Sequence, residues 1–255
     1  MVRRRLRIGI SSLTLICAFG LFSATPALAF GEDGAFNPRW LITGSSKGDA
    51  ARITAFPRWS AEVTKRTSAP ARLVPTTVRA DEQDLLAEPF AYWSGDKPVE
   101  PLTPREIRGL QRFLALGGVL VVDDFAPDAG EFTRTAKREI ARVVTDSLPV
   151  PIGDENILLR TFYLLKHPTG RVEGTSNIEA ILRKGNLEVI FLSRDLAGAL
   201  ATSPANTPLF DVSEAQRERA IRLAVNLAMY VLCSNYKDDQ VHATALMRRR
   251  SSEAP

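Results

Sequence analysis

Apolar residues along this chain gather into short runs that end repeatedly in glycine, serine or a carboxylate. Trp40-Leu41-Ile42-Thr43 runs into Gly44-Ser45-Ser46-Lys47-Gly48, and Phe90-Ala91-Tyr92-Trp93 into Ser94-Gly95-Asp96. Val119 to Val122 reaches Asp123-Asp124, and Leu187 to Leu192 reaches Ser193-Arg194-Asp195. Two further runs, 71–78 and 157–165 (ILLRTFYLL), complete the predicted strands. A half-exposed strand alternates apolar and polar positions, so runs this continuous suit a sheet covered on both faces.

Between the runs the period becomes helical. PRWSAEVTKRTS, from Pro57, reads as a first crossover helix, with no obvious helix starting directly after GSSKG. Thr103-Pro104-Arg105-Glu106 supplies a capping threonine, a first-turn proline and a glutamate three residues after the cap. Ile107, Leu110, Phe113 and Leu114 then recur at helical spacing until Gly117-Gly118. Ser213 with Gln216 reads as a second capping box, opening a helix through Ile221, Leu223, Val225, Leu227, Tyr230 and Val231. Arg222 and Asn226 interrupt that stretch, which makes it a core helix and not a membrane span. The alternation predicts a single three-layer α/β domain with a mainly parallel sheet and helices on both faces. Ligands of such sheets sit outside the carboxyl ends of the strands. Gly44, Ser46, Asp96, Asp123, Asp124 and Asp195 would gather there, and with Arg160 they form the candidate ligand-binding set.

The first 29 residues stand apart from this pattern. A basic start (MVRRRLRIG), an apolar stretch from Ile8 to Phe22 and the small-x-small site Ala27-Leu28-Ala29 predict a secretory signal peptide cleaved before Phe30. The apolar stretch is short for a membrane span, which needs roughly 20 residues. Arg3-Arg4-Arg5 admits twin-arginine export, whereas Ile16 before Cys17 does not fit a lipoprotein site. The expected location is periplasmic or secreted, with residues 30–255 as the mature chain and no transmembrane span in it.

Processing changes the charge. The chain has 33 basic and 29 acidic residues, and losing the four arginines of the leader leaves 29 of each. Only Arg248-Arg249-Arg250, a short tail, is locally basic, so a nucleic-acid partner is not expected. Cys233 alone survives cleavage and cannot form an internal disulfide; in an apolar helix it reads as a small buried hydrophobe.

GGVLVVDD, NILLRTFYLL, LEVIFLSRDLAGAL and RERAIRLAVNLAMYVLCSNYKDDQVH, in this order and spacing, resemble the bacterial domain-of-unknown-function family numbered 4159. The resemblance covers about Phe36 to Arg250. It implies a fold related to class I glutamine amidotransferases and, since some members accompany membrane proteins of the aerotolerance type, work in the cell envelope. It implies no reaction. Many members carry Asp-His-Pro before the Phe-Tyr run, where this chain has Asp154-Glu155-Asn156, and no cysteine elbow of the amidotransferase type is present.

Two motifs carry candidate chemistry. GSSKG fits G-x-S-x-G, and Ser46, Asp195 and His242 occur in the order of an α/β-hydrolase triad; the alternative reading is a flexible turn. Asp123-Asp124 invites acid–base or ligand chemistry, but adjacent strand side chains face opposite ways. A buried carboxylate needs a partner, and Arg160 inside ILLRTFYLL is the expected one. Tyr92-Trp93 could stack on a ligand, though burial suits them better. The two histidines, His167 and His242, lack metal-ligand spacing, and with neither a dinucleotide fingerprint nor a P-loop no metal or cofactor is expected. The reading is an exported, non-catalytic binding or interaction module for an envelope protein or small ligand at the sheet edge. Its alternative is an envelope hydrolase using Ser46 or the carboxylates.

Intact-mass analysis of the exported protein should find a chain beginning at Phe30. Retention of residues 1–29 would instead mark an N-terminal anchor.

Overall fold

The computed structural model describes residues 34–173 and 178–252, with side chains through Ser234. The leader, its cleavage site and Cys17 lie outside the described residues, as does the side chain of His242. The strands are β1 (Arg39–Ile42), β2 (Thr76–Arg79), β3 (Phe90–Gly95), β4 (Val119–Asp124), β5 (Val150–Ile152), β6 (Ile178–Arg183) and β7 (Asn186–Phe191). They form one sheet in the order β2-β1-β3-β4-β7-β6-β5. β2, β1, β3, β4 and β7 pair in parallel, while β6 and β5 complete the edge as antiparallel neighbours.

The helices are α1 (Ala50–Ile53), α2 (Ala55–Thr67), α3 (Pro104–Ala115), α4 (Glu131–Val143), α5 (Leu196–Leu200) and α6 (Glu214–Ser252). They cover both faces. Phe56 and Trp59 of α2, with α5 and the apolar stripe of α6, pack on Trp40, Phe90, Tyr92, Val121 and Ile190. Leu110 and Phe113 of α3, with Phe132 and Ile140 of α4, pack on Leu41, Trp93, Leu120, Val122 and Val189. Consecutive strand residues thus divide between two cores, the physical reason why the runs are apolar at every position. Each such side chain contributes about 1.5–3 kcal/mol on burial. Trp59 also donates its indole N–H to the carbonyl of Ala224 at 2.7 Å, fastening α2 to α6. The three-layer, mainly parallel α/β architecture is as predicted, and no helix among the described residues is long and apolar enough to cross a membrane.

Local departures from the sequence reading have physical causes. Residues 157–165 form a short 3-10 turn, Ile157–Leu159, and a loop in place of a strand. Asn226 of α6 organises that loop. Its side-chain oxygen accepts from the N–H groups of Phe162 and Tyr163, and its amide donates to the carbonyls of Leu158 and Tyr163. Four of the backbone groups a strand would have paired are met by this one side chain. A helix does follow GSSKG: α1 starts at Ala50, with Asp49 as its cap accepting from Arg52 N–H at 2.8 Å. The box at Thr103–Glu106 is complete. At Ser213 only half of one forms, because the Gln216 side chain turns away to the carbonyls of Gly170 and Arg171. Cys233, expected buried, is exposed.

Candidate functional site

Asp123, the penultimate residue of β4, lies on the α2–α5–α6 face, fully buried. One carboxylate oxygen accepts from the N–H groups of Arg194 (2.7 Å) and Asp195 (3.1 Å). The other accepts from Leu196 N–H (2.7 Å) and from the Tyr92 hydroxyl. Three successive N–H groups converge because the chain between β7 and α5 passes through the left-handed region at Ser193 (φ 48°) and Asp195 (φ 51°). Such conformations cost about 1–3 kcal/mol each on non-glycine residues. The nest of N–H groups they create is an anion seat, and Asp123 fills it. Burial pushes the Asp123 carboxyl up, and the charge of Asp195 adds to this. The Tyr92 hydroxyl and the backbone donors pull it back, to about 6.

Asp195 caps α5, accepting from Gly198 N–H at 3.0 Å, and is itself fully buried. Arg52 grips it with two hydrogen bonds of 2.8 and 2.9 Å, and Arg171 adds a third contact. The Arg52 guanidinium lies 3.8 Å from the ring centroid of Phe125 and 4.5 Å from that of Phe210. Burial works against the charge on Arg52, but the hydrogen bonds and charge of Asp195 outweigh it and raise its pKa. This bidentate geometry with aromatic stacking is a role for arginine, not lysine. Asp124 points the other way, also fully buried. It accepts from Ala126 N–H (2.8 Å) and from the N–H and hydroxyl of Thr133 (3.0 and 3.1 Å). Thr133 lies in the first turn of α4, whose cap position is Gly130 and has no side chain to offer. A strand carboxylate therefore caps the helix.

Above β1, β3 and β4 the loops after the strands enclose a cleft of about 460 Å³, its walls including Ser46, Asp49, Asp96, Lys97, Glu100 and Phe125. Its shape depends on the GSSKG loop. Gly44 gives its N–H to Glu106 at 2.6 Å, and Ser45 gives N–H and hydroxyl to Glu100 at 3.1 and 2.5 Å. Those Ser45 bonds hold the Glu100 carboxyl below the usual carboxylate range. The Ser46 oxygen accepts from Gly48 N–H at 3.2 Å.

Of the residues predicted from sequence, Ser46 and Asp96 line the cleft and Gly44 lies at the base of its loop. Asp123, Asp124 and Asp195 are buried in the sheet edge, their oxygens taken by protein donors. Arg160 is not the partner of either strand aspartate. It is exposed and pairs with Glu155 at 2.5 Å, because the segment carrying it is no strand. The two aspartates do face opposite ways, but helices cover both faces, so both are interior. Tyr92 and Trp93 are core residues. Arg52, Arg171 and Glu100 escaped the sequence reading. Arg52 meets Asp195 across 143 positions, and inside AARITAF it has the pattern of an ordinary helix-surface arginine. The profile of a family described as Domain of unknown function (DUF4159) matches residues 40–232. A search among curated proteins returned no match.

Two experiments test this geometry. Asp123→Asn turns an amide N–H₂ toward backbone or hydroxyl donors and should cost about 3–5 kcal/mol. Arg160→Leu should shift the melting temperature by less than about 2 °C. Comparable losses in the two melting curves would contradict the assignment.

The carboxyl of Asp123 also predicts a pH dependence. Its folded value of about 6 exceeds its ordinary 3.8, so the folded state holds the proton more tightly. Its stabilising contribution is complete below the ordinary value and is lost as pH rises through about 6. Carboxyl-carbon NMR should show a titration near pH 6 that vanishes in Asp123→Asn. A midpoint for Asp123 below its ordinary value would contradict the argument.

Proposed function

The chain belongs to the family described as Domain of unknown function (DUF4159), and we propose that this member is an exported, non-catalytic binding module of the bacterial envelope. Its ligand is polar and uncharged or cationic, and it sits in the cleft above β1, β3 and β4. The lining of that cleft carries this reading: Asp49, Asp96 and Glu100 against Lys97, beside hydroxyls and the Phe125 ring. Carboxylates and hydroxyls accept from and donate to sugar hydroxyls or amines, an aromatic ring offers a stacking face, and the acidic excess disfavours anions. The volume is that of a small-ligand site. Export rests on the leader, and the envelope setting on the family resemblance.

The hydrolase alternative draws support from the strand–turn–helix setting of Ser46, with α1 starting at Ala50. Binding is favoured because Asp195 has its acceptors committed to Arg52, Arg171 and Gly198, leaving none to orient a histidine. The other buried carboxylates are similarly saturated. A proton-transfer group must release its partners during reaction, and these are held by backbone and by charge.

A fluorophosphonate probe should leave Ser46 of the folded protein unmodified, and an adduct at Ser46 would favour the hydrolase. In a thermal-shift panel of neutral sugars, amines and anions, a sugar or amine should stabilise the wild type and fail on Asp96→Lys. Stabilisation of the wild type by anions alone, lost in Asp96→Lys, would overturn the binding reading.

A further inference from the structure

We propose that the outer face of α3 and α4 is a docking surface for a membrane bearing anionic phospholipids. It occupies one broad side of the molecule, whereas the cleft opens at the carboxyl edge of the sheet, and it does not depend on what that cleft binds. Both helices cover the same face of the sheet, so their outward sides look the same way. Gln111 of α3 donates to the carbonyl of Val143 at 3.3 Å, and Arg142 of α4 donates to that of Leu102 at 3.2 Å. These bonds hold the two helices as one surface.

The positive charge of this face is a local surplus. Residues 30–255 carry 29 basic and 29 acidic residues. On α3 and α4, by contrast, the exposed charged residues are six arginines and one glutamate, Glu131. Arg105, Arg108 and Arg112 follow at spacings of three and four along α3, which sets them on one stripe. Arg134, Arg138 and Arg142 recur at every fourth position of α4. The other acids of these helices are turned inward. Glu106 is buried and accepts from Gly44 and Thr103, and Glu139, also buried, answers Arg138 and Arg142 with a single carboxylate. Asp81, beside Gly109 of α3, is paired with Arg79 at 3.1 Å. Among the described residues none of the three α3 arginines has a carboxylate partner. Arg134, with its side chain 73% exposed, has Glu131 only at 3.8 Å.

Two features favour a lipid surface. The cations are guanidiniums, whose planar fork meets the paired oxygens of a phosphate group, and a charged bilayer draws such groups without needing a shaped pocket. The second feature is apolar. Leu116 continues the stripe of Arg105, Arg108 and Arg112 by one more step and is 54% exposed, and Leu148, in the segment after α4, is 77% exposed. Each helix returns the chain between strands that run the same way, so the C-terminal ends of both lie at the amino edge of the sheet. The two leucines therefore sit at the same end of the basic face. Exposed leucine beside arginine is the composition of a membrane-interface surface, where headgroup phosphates meet the cations and the acyl boundary takes up the apolar side chains. The phosphate backbone of a nucleic acid offers those leucines no apolar layer.

The test is co-sedimentation of the chain beginning at Phe30 with vesicles of phosphatidylglycerol and phosphatidylcholine in equal parts, against vesicles of phosphatidylcholine alone. Binding to the anionic vesicles alone is expected at about 0.1 M salt, with most of it lost at about 0.5 M. Arg108→Glu combined with Arg112→Glu should weaken it by about thirtyfold or more. The same pair should leave the melting temperature within about 2 °C, because neither side chain has a carboxylate partner to lose. An equal charge change on the opposite side of the sheet, Lys65→Glu with Arg219→Glu, should weaken binding by less than about threefold, as should replacement of Arg248, Arg249 and Arg250 by Gln. Leu116→Ser should weaken it about fivefold. Equal binding to the two kinds of vesicle, equal losses in the two charge-reversed pairs, or binding that vanishes with the tail arginines would each overturn the assignment. So would binding to polyglutamate or to a DNA duplex with none to the vesicles.

Discussion

The grip of Asp123 on three successive backbone N–H groups is the constraint on which the carboxyl edge of this sheet depends. A strand bearing four branched apolar residues ends in a carboxylate that never reaches water. In exchange for its hydration the carboxylate receives the N–H groups of residues 194–196 and the Tyr92 hydroxyl. Because the donors come from the chain leaving β7, the interaction locks the neighbouring strand's exit. It also sustains two left-handed non-glycine residues that isolated chain would relax. The turn then presents Asp195 to Arg52 and Arg171, drawing in α1 and the 170–172 segment. One carboxylate in a nest orders the elements on either side of it.

This dependence explains which parts of the structure are legible in the amino-acid pattern. Strand runs bounded by glycine and carboxylates yield β1, β3, β4 and β7 and the mainly parallel architecture, because burial on both faces forces every position apolar. The box at Thr103–Glu106 is local, and local chemistry is readable. By contrast α4 has no capping residue of its own; Gly130 stands at the cap and the carboxylate comes from β4. The 157–165 run looks like a strand because nothing within it announces Asn226, some sixty positions away, which takes over its backbone groups.

The candidate site shows the same division. Placing Asp96, Asp123, Asp124 and Asp195 at the sheet edge follows from strand direction alone. Assigning Arg160 to the buried aspartates failed because a charged residue inside an apolar run is an interior residue only if the run is a strand. Arg52 could not be found from periodicity, since its burial is produced by Asp195, Phe125 and Phe210 converging from distant segments. What could be read was the demand for a partner, not its identity.

The edge also sorts its charge. Carboxylates that face solvent, those of Asp96 and Glu100, collect around the cleft over β1, β3 and β4. At the turn held by Asp123, opposite charges are already paired and desolvated. Buried groups saturated in this way hold loop backbones at fixed positions. A site that recognises a ligand needs such fixed walls more than it needs a titrating group, because preorganised donors and acceptors lose less entropy on binding. The two aspartates near the end of β4 thus act chiefly on the loops they keep in place.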